Sequence, residues 1–450
     1  MQHLTEKWRT GSFLLVQQHD EKCPTSNIFS VAHWLKIVGI FDHKFMSQRV
    51  LFISNGHGED NHSAHIIQSL RELAPQVEIA ALAIVGDGAA YRRLGVPLIG
   101  PTQVLPSGGF TYMNRWLLVK DIQAGLLQLT RQQWQAMRSY APQCDLVHAT
   151  GDSIGQSFAY GSQRPFISFI SCLSALYEDH LELDLLLQWY FRSSRCVRVF
   201  TRDRFTAENL QQQGFSKVHF GGIPSLDRLT PQGKDLQRRS GTDLVALLPG
   251  SRLPEAVRNF QLQLRLLEWV AQGHPEALEK LQFQAALVSG VLTELPALAQ
   301  TQGWDWQPPH RLVWQSPTGD RSLEVLCFGD RFNDILHDCT LVVGMAGLAV
   351  DQAVALGKPV LQIPGEGPQF TYRFAEAQNR LLGMSAQTIG TGPADDRVLQ
   401  QAAACLWKTV NDRPYLAAAK RNGKARLGEL GGSYRIANCI LQQLGIEPKP

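Results

Sequence analysis

Val245-Ala-Leu-Leu-Pro-Gly-Ser-Arg-Leu-Pro-Glu255 is the stretch whose reading decides the fold. The apolar run Leu244 to Leu248 reads as a buried strand and Pro249-Gly250-Ser251-Arg252 as a tight turn. Glu255 to Val270, with Val257, Phe260, Leu262, Leu266 and Val270 in helical period, reads as a helix. The first N–H groups of a helix lack intrahelical partners and carry partial positive charge, so such a turn attracts phosphate. An arginine on it adds a bidentate donor, and the expected guest is a diphosphate. The competing reading is an ordinary strand-glycine-helix turn with Arg252 as a solvated surface charge.

Similar alternation recurs on both sides. Upstream, strands are expected at Arg49 to Ser54, Glu78 to Val85, Leu146 to Ala149, Phe166 to Ile170 and Val197 to Thr201. Downstream they are expected at Phe283 to Val288, Val325 to Phe328, Leu341 to Val343 and Val360 to Ile363, again with helical segments between. This pattern predicts an α/β protein with two doubly wound, Rossmann-like domains, whose ligands sit at the carboxyl ends of the strands in a central cleft. The expected division is residues 46–226, a polar and basic linker at 227–243 (Lys234, Arg238, Arg239), and residues 244–450, whose last helix can cross back. Residues 1–45 differ from the rest and lack a signal peptide's cleavage pattern. They are expected to be a poorly ordered extension before a functional start at Met46; the competing reading is an amphipathic membrane anchor.

Composition excludes several classes. With 44% hydrophobic and 18% charged residues among 450, the chain is globular. Its 43 Lys+Arg against 40 Asp+Glu leave a net charge of +3, too mild for the concentrated basic stripe that nucleic acid requires. Eight scattered cysteines without a C-x-x-C pair fit buried thiols in a reducing cytosol better than disulfides or zinc. No apolar run reaches the roughly 18 residues that span a bilayer. The expectation is a cytoplasmic protein, soluble or peripheral on the cytoplasmic face of a membrane.

Leu-Leu-Pro-Gly250-Ser251-Arg252-x-x-Glu255 resembles the start of the nucleotide-binding domain of lipid-A-disaccharide synthase, a two-domain GT-B glycosyltransferase that joins a UDP-sugar to a lipid-linked sugar. Val85-Gly-Asp-Gly with Leu94-Gly-Val-Pro, and Gly221-Gly-Ile-Pro224, also resemble segments of that family. Leu341-Val-Val-Gly344-Met-Ala-Gly347, the helix after it and Gly357-Lys-Pro359 resemble the sugar-nucleotide pocket of GT-B enzymes. The resemblance implies that the glycine turn faces the diphosphate. It places the ribose-binding residue at Gln352, or at Asp351 one step earlier, where the family carries an acidic residue. Gln369, Phe370 and Thr371 would lie near the diphosphate or donor sugar; packing explains Phe370 and Phe374 nearly as well.

The loop Asn55-Gly56-His57-Gly58-Glu59-Asp60-Asn61-His62 follows the first strand, with a helix expected from Ser63 to Leu73. Aligning Ser63-Ala64 with the small residues that open the corresponding helix of the related galactolipid synthases puts Asp60 where those enzymes carry a catalytic histidine. An inverting transferase needs one base near the acceptor hydroxyl. Asp60 is the first candidate, with Glu59 and His57 behind it and Asp152 in a secondary place; Asp60 reads equally as a helix N-cap, and Asp152 as a cap or turn residue. His57, Glu59, Asp60, His62 and His65 also form a cluster that suggests a metal-dependent hydrolase or deacetylase, although its spacing fits no established zinc motif. Gly108 to Met137 carries Phe110, Tyr112, Trp116 and Trp134 beside Arg115, Lys120 and Arg131. That stripe suits an anionic membrane interface; the competing reading, the more common outcome for such stripes, is an ordinary core-facing helix.

The expected function is transfer of a sugar from a nucleotide sugar, UDP-linked, to a lipid or lipid-linked acceptor, with no cofactor, no metal and no nucleic-acid partner. The alternatives are a nucleotide-sugar epimerase on the same fold, the metal hydrolase, and a non-catalytic sugar-nucleotide sensor.

Overall fold

The computed structural model describes residues 48–103, 121–367 and 370–448. The expectations for residues 1–45, for the 108–120 part of the aromatic stripe and for Gln369 lie outside them.

Six strands form the first sheet: β1 (Arg49–Ser54), β2 (Glu78–Ala83), β3 (Leu146–Thr150), β4 (Phe166–Ile170), β5 (Cys196–Thr201) and β6 (Val218–Phe220). They run parallel in the order β2-β1-β3-β4-β5-β6. Val50 to Ile53 are fully buried, which is why this strand reads as a continuous apolar run rather than an alternating one.

The second sheet contains β7 (Asp243–Leu248), β8 (Leu281–Ala286), β9 (Asp305–Gln307), β10 (Arg311–Gln315), β11 (Ser322–Phe328), β12 (Leu341–Gly344), β13 (Val360–Gln362) and β14 (Ala386–Thr388). Its order is β14-β13-β12-β7-β8-β11-β10-β9, and the last three strands pair antiparallel. The antiparallel edge formed by β9 and β10 lies beyond the strands expected from the sequence, on an otherwise parallel, doubly wound sheet. Leu312 and Trp314 point inward from β10 while their neighbours are more exposed, a two-residue period too short to stand out beside Pro308-Pro309.

The helices that position the site are α1 (His57–Leu73), α2 (Ser153–Gly161), α3 (Arg204–Gln212), α4 (Glu255–Gly273), α5 (Leu348–Ala355), α6 (Tyr372–Leu382), α7 (Arg413–Leu427) and α8 (Gly432–Leu444). Helix α4 buries Phe260, Leu264, Leu267 and Val270 in the second domain's core. Each such side chain contributes about 1.5–3 kcal/mol. Helix α8 returns to the first sheet, where Ile436, Ile440 and Leu441 join the core of Val50, Phe52 and Ile66.

Helix α1 begins at His57, six residues before the expected start. The segment read as a loop is therefore the first turn and a half of a helix. Asp60 and His62 of that segment, with Ser63 just after it, are buried polar residues facing the polar carboxyl end of the sheet, so no apolar period marks the helix start. From the expected stripe, the described part of the helix Leu126–Tyr140 buries Leu129 and Met137 and leaves Leu127 exposed. Among the described residues, no helix is long and apolar enough to cross a membrane.

Candidate active site

Strand order reverses between β1 and β3 in the first sheet and between β7 and β12 in the second. Crevices open beyond the carboxyl ends of strands at such switch points. At the second point a cleft of about 430 Å³ is lined by the turn Pro249 to Arg252, by the β12–α5 turn Met345 to Gly347, and by His57, Gly58 and Asn61 from the first domain.

The geometry of the Pro249–Arg252 turn demands a glycine. Gly250 has a φ of 101°, and a Cβ there would stand 3.1 Å from the carbonyl oxygen of Met345. Buried Asn259 ties the two turns together, its Nδ2 donating to Pro249 O at 2.9 Å and Met345 O at 3.5 Å. Sequence reasoning missed Asn259; the available signal was a polar residue on the apolar face of α4. Glu255 Oε1 accepts the Phe370 N–H at 2.6 Å, fixing the start of the 370 segment against α4. Phe370 is buried in the cleft wall with its ring 5.7 Å from that of Phe374. Ser251, Arg252 and Gly347 line the cleft as well.

Three residues expected on the donor side are placed elsewhere. Gly344 is the last residue of β12, where a Cβ would stand 2.7 Å from Val350 and 2.8 Å from Val360, so its smallness serves packing. Thr371 is the N-cap of α6 and accepts the Phe374 N–H at 3.4 Å. Asp351 is buried and engaged across the domain seam, its Oδ2 2.8 Å from Arg202 Nη2. Its neighbour on α5, Gln352, lines the cleft and donates to Ser225 O at 3.1 Å. Of the two ribose candidates, only Gln352 reaches the cleft wall.

On the first domain, His57 lies over the backbone of Gly86, whose φ of 87° and missing Cβ admit the ring; a Cβ would stand 2.7 Å from Cε1. Burial and then the positive charge of Arg252 hold His57 below the ordinary histidine value, so it is neutral at pH 7. Glu59 folds back over Gly56 and Gly151. Its carboxyl is pushed up, first by burial and then by Asp152, while Arg252 opposes the shift. Gly58 leaves open space in the cleft wall.

Asp60 occupies a different position from the one expected of a leading base. It lies within α1 rather than at its N-cap, is 1% exposed, and points away from the cleft into a buried network. Ser54 Oγ donates to its Oδ1 at 2.5 Å and also contacts Tyr91 Oη at 2.5 Å. Burial pushes its carboxyl up to about 7, against the hydrogen bond from Ser54. Asp152 is the N-cap of α2, accepting from Ile154 N at 3.0 Å and Asn55 Nδ2 at 2.8 Å, so capping occupies it.

The histidine cluster also separates. His57 faces the cleft, and His62 is buried against Phe169, ring centres 5.6 Å apart, with burial pushing it down to about 3. His65 is held down by burial and then by Arg228. Among the described residues, no group of three or more His, Cys, Asp or Glu side chains is gathered as a metal ion would require.

Two facing Rossmann-like domains with a cleft at the strand ends define the GT-B architecture, and solved structures share it. A calicheamicin glycosyltransferase superposes with a TM-score of 0.57 at 12% identity, covering 89% of this chain and 98% of that one. The UDP-GlcNAc 2-epimerase of Neisseria meningitidis, solved bound to UDP-GlcNAc, superposes with a TM-score of 0.52 at 13% identity, covering 88% and 100%. At these identities the likeness is one of fold. In sequence, the chain is 25% identical over 245 residues to the lipid-A-disaccharide synthase of Geobacter sulfurreducens, a match covering 51% of this chain and 58% of that relative. The match thus spans little more than half the relative's length. No family model matches the chain.

Proposed function

We propose that the protein is an inverting glycosyltransferase that moves a sugar from a nucleotide sugar, UDP-linked, to a lipid or lipid-linked acceptor. The observation that carries this reading is the cleft: a glycine turn with Arg252 and the start of α5 on one wall, and neutral His57 on the other. The diphosphate lies against the Pro249–Arg252 turn and the N-terminus of α5, where N–H groups and a guanidinium match its charge. Gln352 meets the ribose hydroxyls, giving and accepting hydrogen bonds without a charge. Match to a lipid-A-disaccharide synthase supports the lipid-linked acceptor.

In the reaction the acceptor hydroxyl oxygen attacks the anomeric carbon, its proton passes to His57, and the bond from that carbon to the diphosphate oxygen breaks. The nucleoside diphosphate leaves with the electron pair, stabilised by Arg252 and the helix N–H groups. His57 takes precedence over Asp60 on geometry, because a base must reach the proton it removes. Diphosphate bound to Arg252 also offsets the charge that depresses His57, so the base strengthens when the donor is present. No step calls for a metal or cofactor.

Epimerase structures share the fold, so the second reading is a nucleotide-sugar 2-epimerase. Incubating the protein with UDP-N-acetylglucosamine alone and following the sugar by NMR separates the two. A transferase leaves the 2-epimer unformed and consumes donor only when an acceptor such as a lipid-linked glucosamine is added. Accumulation of the epimer without acceptor would overturn the transferase reading.

A further inference from the structure

A second cavity of about 410 Å³ lies apart from the cleft, on the seam between the domains. Arg204 at the start of α3 and Phe220 at the end of β6 form one side; Arg421 and Lys424 of α7, with Gly428 and Glu429 just beyond it, form the other. Both chain crossings between the domains pass here. One leaves β6 through Gly221 and Gly222, and the other joins α7 to α8. Gly428, with a φ of 78°, crosses so near the Phe220 ring that a Cβ would stand 2.7 Å from it. Arg435 of α8 fastens the crossings together, donating from Nε to Gly221 O at 2.8 Å and from its two Nη groups to Leu430 O at 3.0 Å and Glu429 O at 3.1 Å.

The charge around this cavity is unbalanced. The Arg204 guanidinium sits 4.9 Å from the centre of the Phe220 ring and that of Arg435 5.1 Å from it. Of the nearby carboxylates, Glu429 pairs with Lys424 at 3.6 Å, and Asp227 accepts the α8 N-terminal N–H groups of Gly431 at 2.5 Å and Ser433 at 2.7 Å. Among the described residues, Arg204 and Arg421 have neither an ion-pair nor a hydrogen-bond partner. Gathering like charges in a concave site is unfavourable unless an anion neutralises them, and a planar guanidinium matches phosphate oxygens two at a time.

We propose that this cavity is a second, anion-binding site that takes a phosphate-bearing group through Arg204, Arg421 and Lys424. Its occupant touches elements of both domains beside both crossings, so its binding is linked to how the domains close.

Titrating the full-length protein calorimetrically with inorganic pyrophosphate tests the site. Arg204→Ser/Arg421→Ser is expected to weaken one binding event about tenfold or more, the loss of charge-assisted hydrogen bonds, while Arg252→Ala leaves that event in place. Arg204→Lys/Arg421→Lys, which keeps charge but not the planar fork, is expected to fall between. Both arginines are exposed, and circular dichroism checks that the variants fold. A parallel sedimentation with vesicles of phosphatidylcholine and phosphatidylglycerol identifies the source. Vesicle binding lost in the serine variant, without pyrophosphate binding, assigns the phosphate to a lipid headgroup and upholds the site. Wild-type behaviour of the serine variant toward both probes, or no binding of either probe by the wild type, overturns the proposal.

Discussion

Replacing Arg202 by methionine tests how the two domains are held. Arg202 Nη2 stands 2.8 Å from Asp351 Oδ2, with the side chains only 8% and 10% exposed. At that separation the attraction is about 6 kcal/mol for an effective dielectric constant near 20, much of it offset by desolvation of both ions. Arg202→Met leaves Asp351 buried and uncompensated, and Asp351 Oδ1 already has no hydrogen-bond partner among the described residues. The expected cost is about 3–5 kcal/mol. Arg202→Met/Asp351→Leu removes both charges from the same seam and is expected to return to within about 1–2 kcal/mol of the wild type. Equilibrium urea unfolding followed by tryptophan fluorescence reads all four corners of the cycle, with the first transition taken as the seam's. A single substitution costing less than about 1 kcal/mol, or a double variant whose loss equals the sum of the singles, would refute the coupling.

Two further predictions concern pH. Burial raises the Asp60 carboxyl to about 7, so the folded state binds more protons than the unfolded state between the ordinary carboxylate range and pH 7. The stability this group contributes is present below its unfolded value and is lost as pH rises through about 7, at up to about 1.4 kcal/mol per pH unit. Asp60→Asn is therefore expected to gain stability relative to the wild type on going from pH 4 to pH 8, and parallel stability curves across that range would contradict it. Burial and Arg252 hold His57 below the ordinary histidine value in the free protein, so the base proposed here stays unprotonated down to a pH below that value. In the donor complex Arg252 is neutralised, and the acid limb of kcat is expected at higher pH than that of kcat/KM; coincident limbs, or a limb unchanged in His57→Asn, would count against His57 as base.

Much of the fold was legible because buried parallel strands announce themselves as short apolar runs ending at glycine turns. Arg49 to Ser54 and Phe166 to Ile170 lie where periodicity put them. Helix α1 was misread for a physical reason: its first turns present Asp60, His62 and Ser63 to a polar sheet end, and two glycines precede Glu59. The Pro249–Arg252 turn was legible as a local motif, since strand, glycine and helix are contiguous. The choice between Asp351 and Gln352 was not, because it depends on Arg202, 149 residues away in sequence. His57 stood third among the base candidates because its merit rests on Gly86 and Arg252, neither of which adjoins it in the chain.

Calorimetric titration of the protein with UDP, UDP-N-acetylglucosamine, GDP and TDP, beside Arg252→Ala, is the most direct test of the donor cleft. The account predicts that uridine nucleotides bind and that the substitution weakens them at least tenfold, about 1.4 kcal/mol. Absence of binding by every nucleotide, or binding indifferent to Arg252, would contradict it.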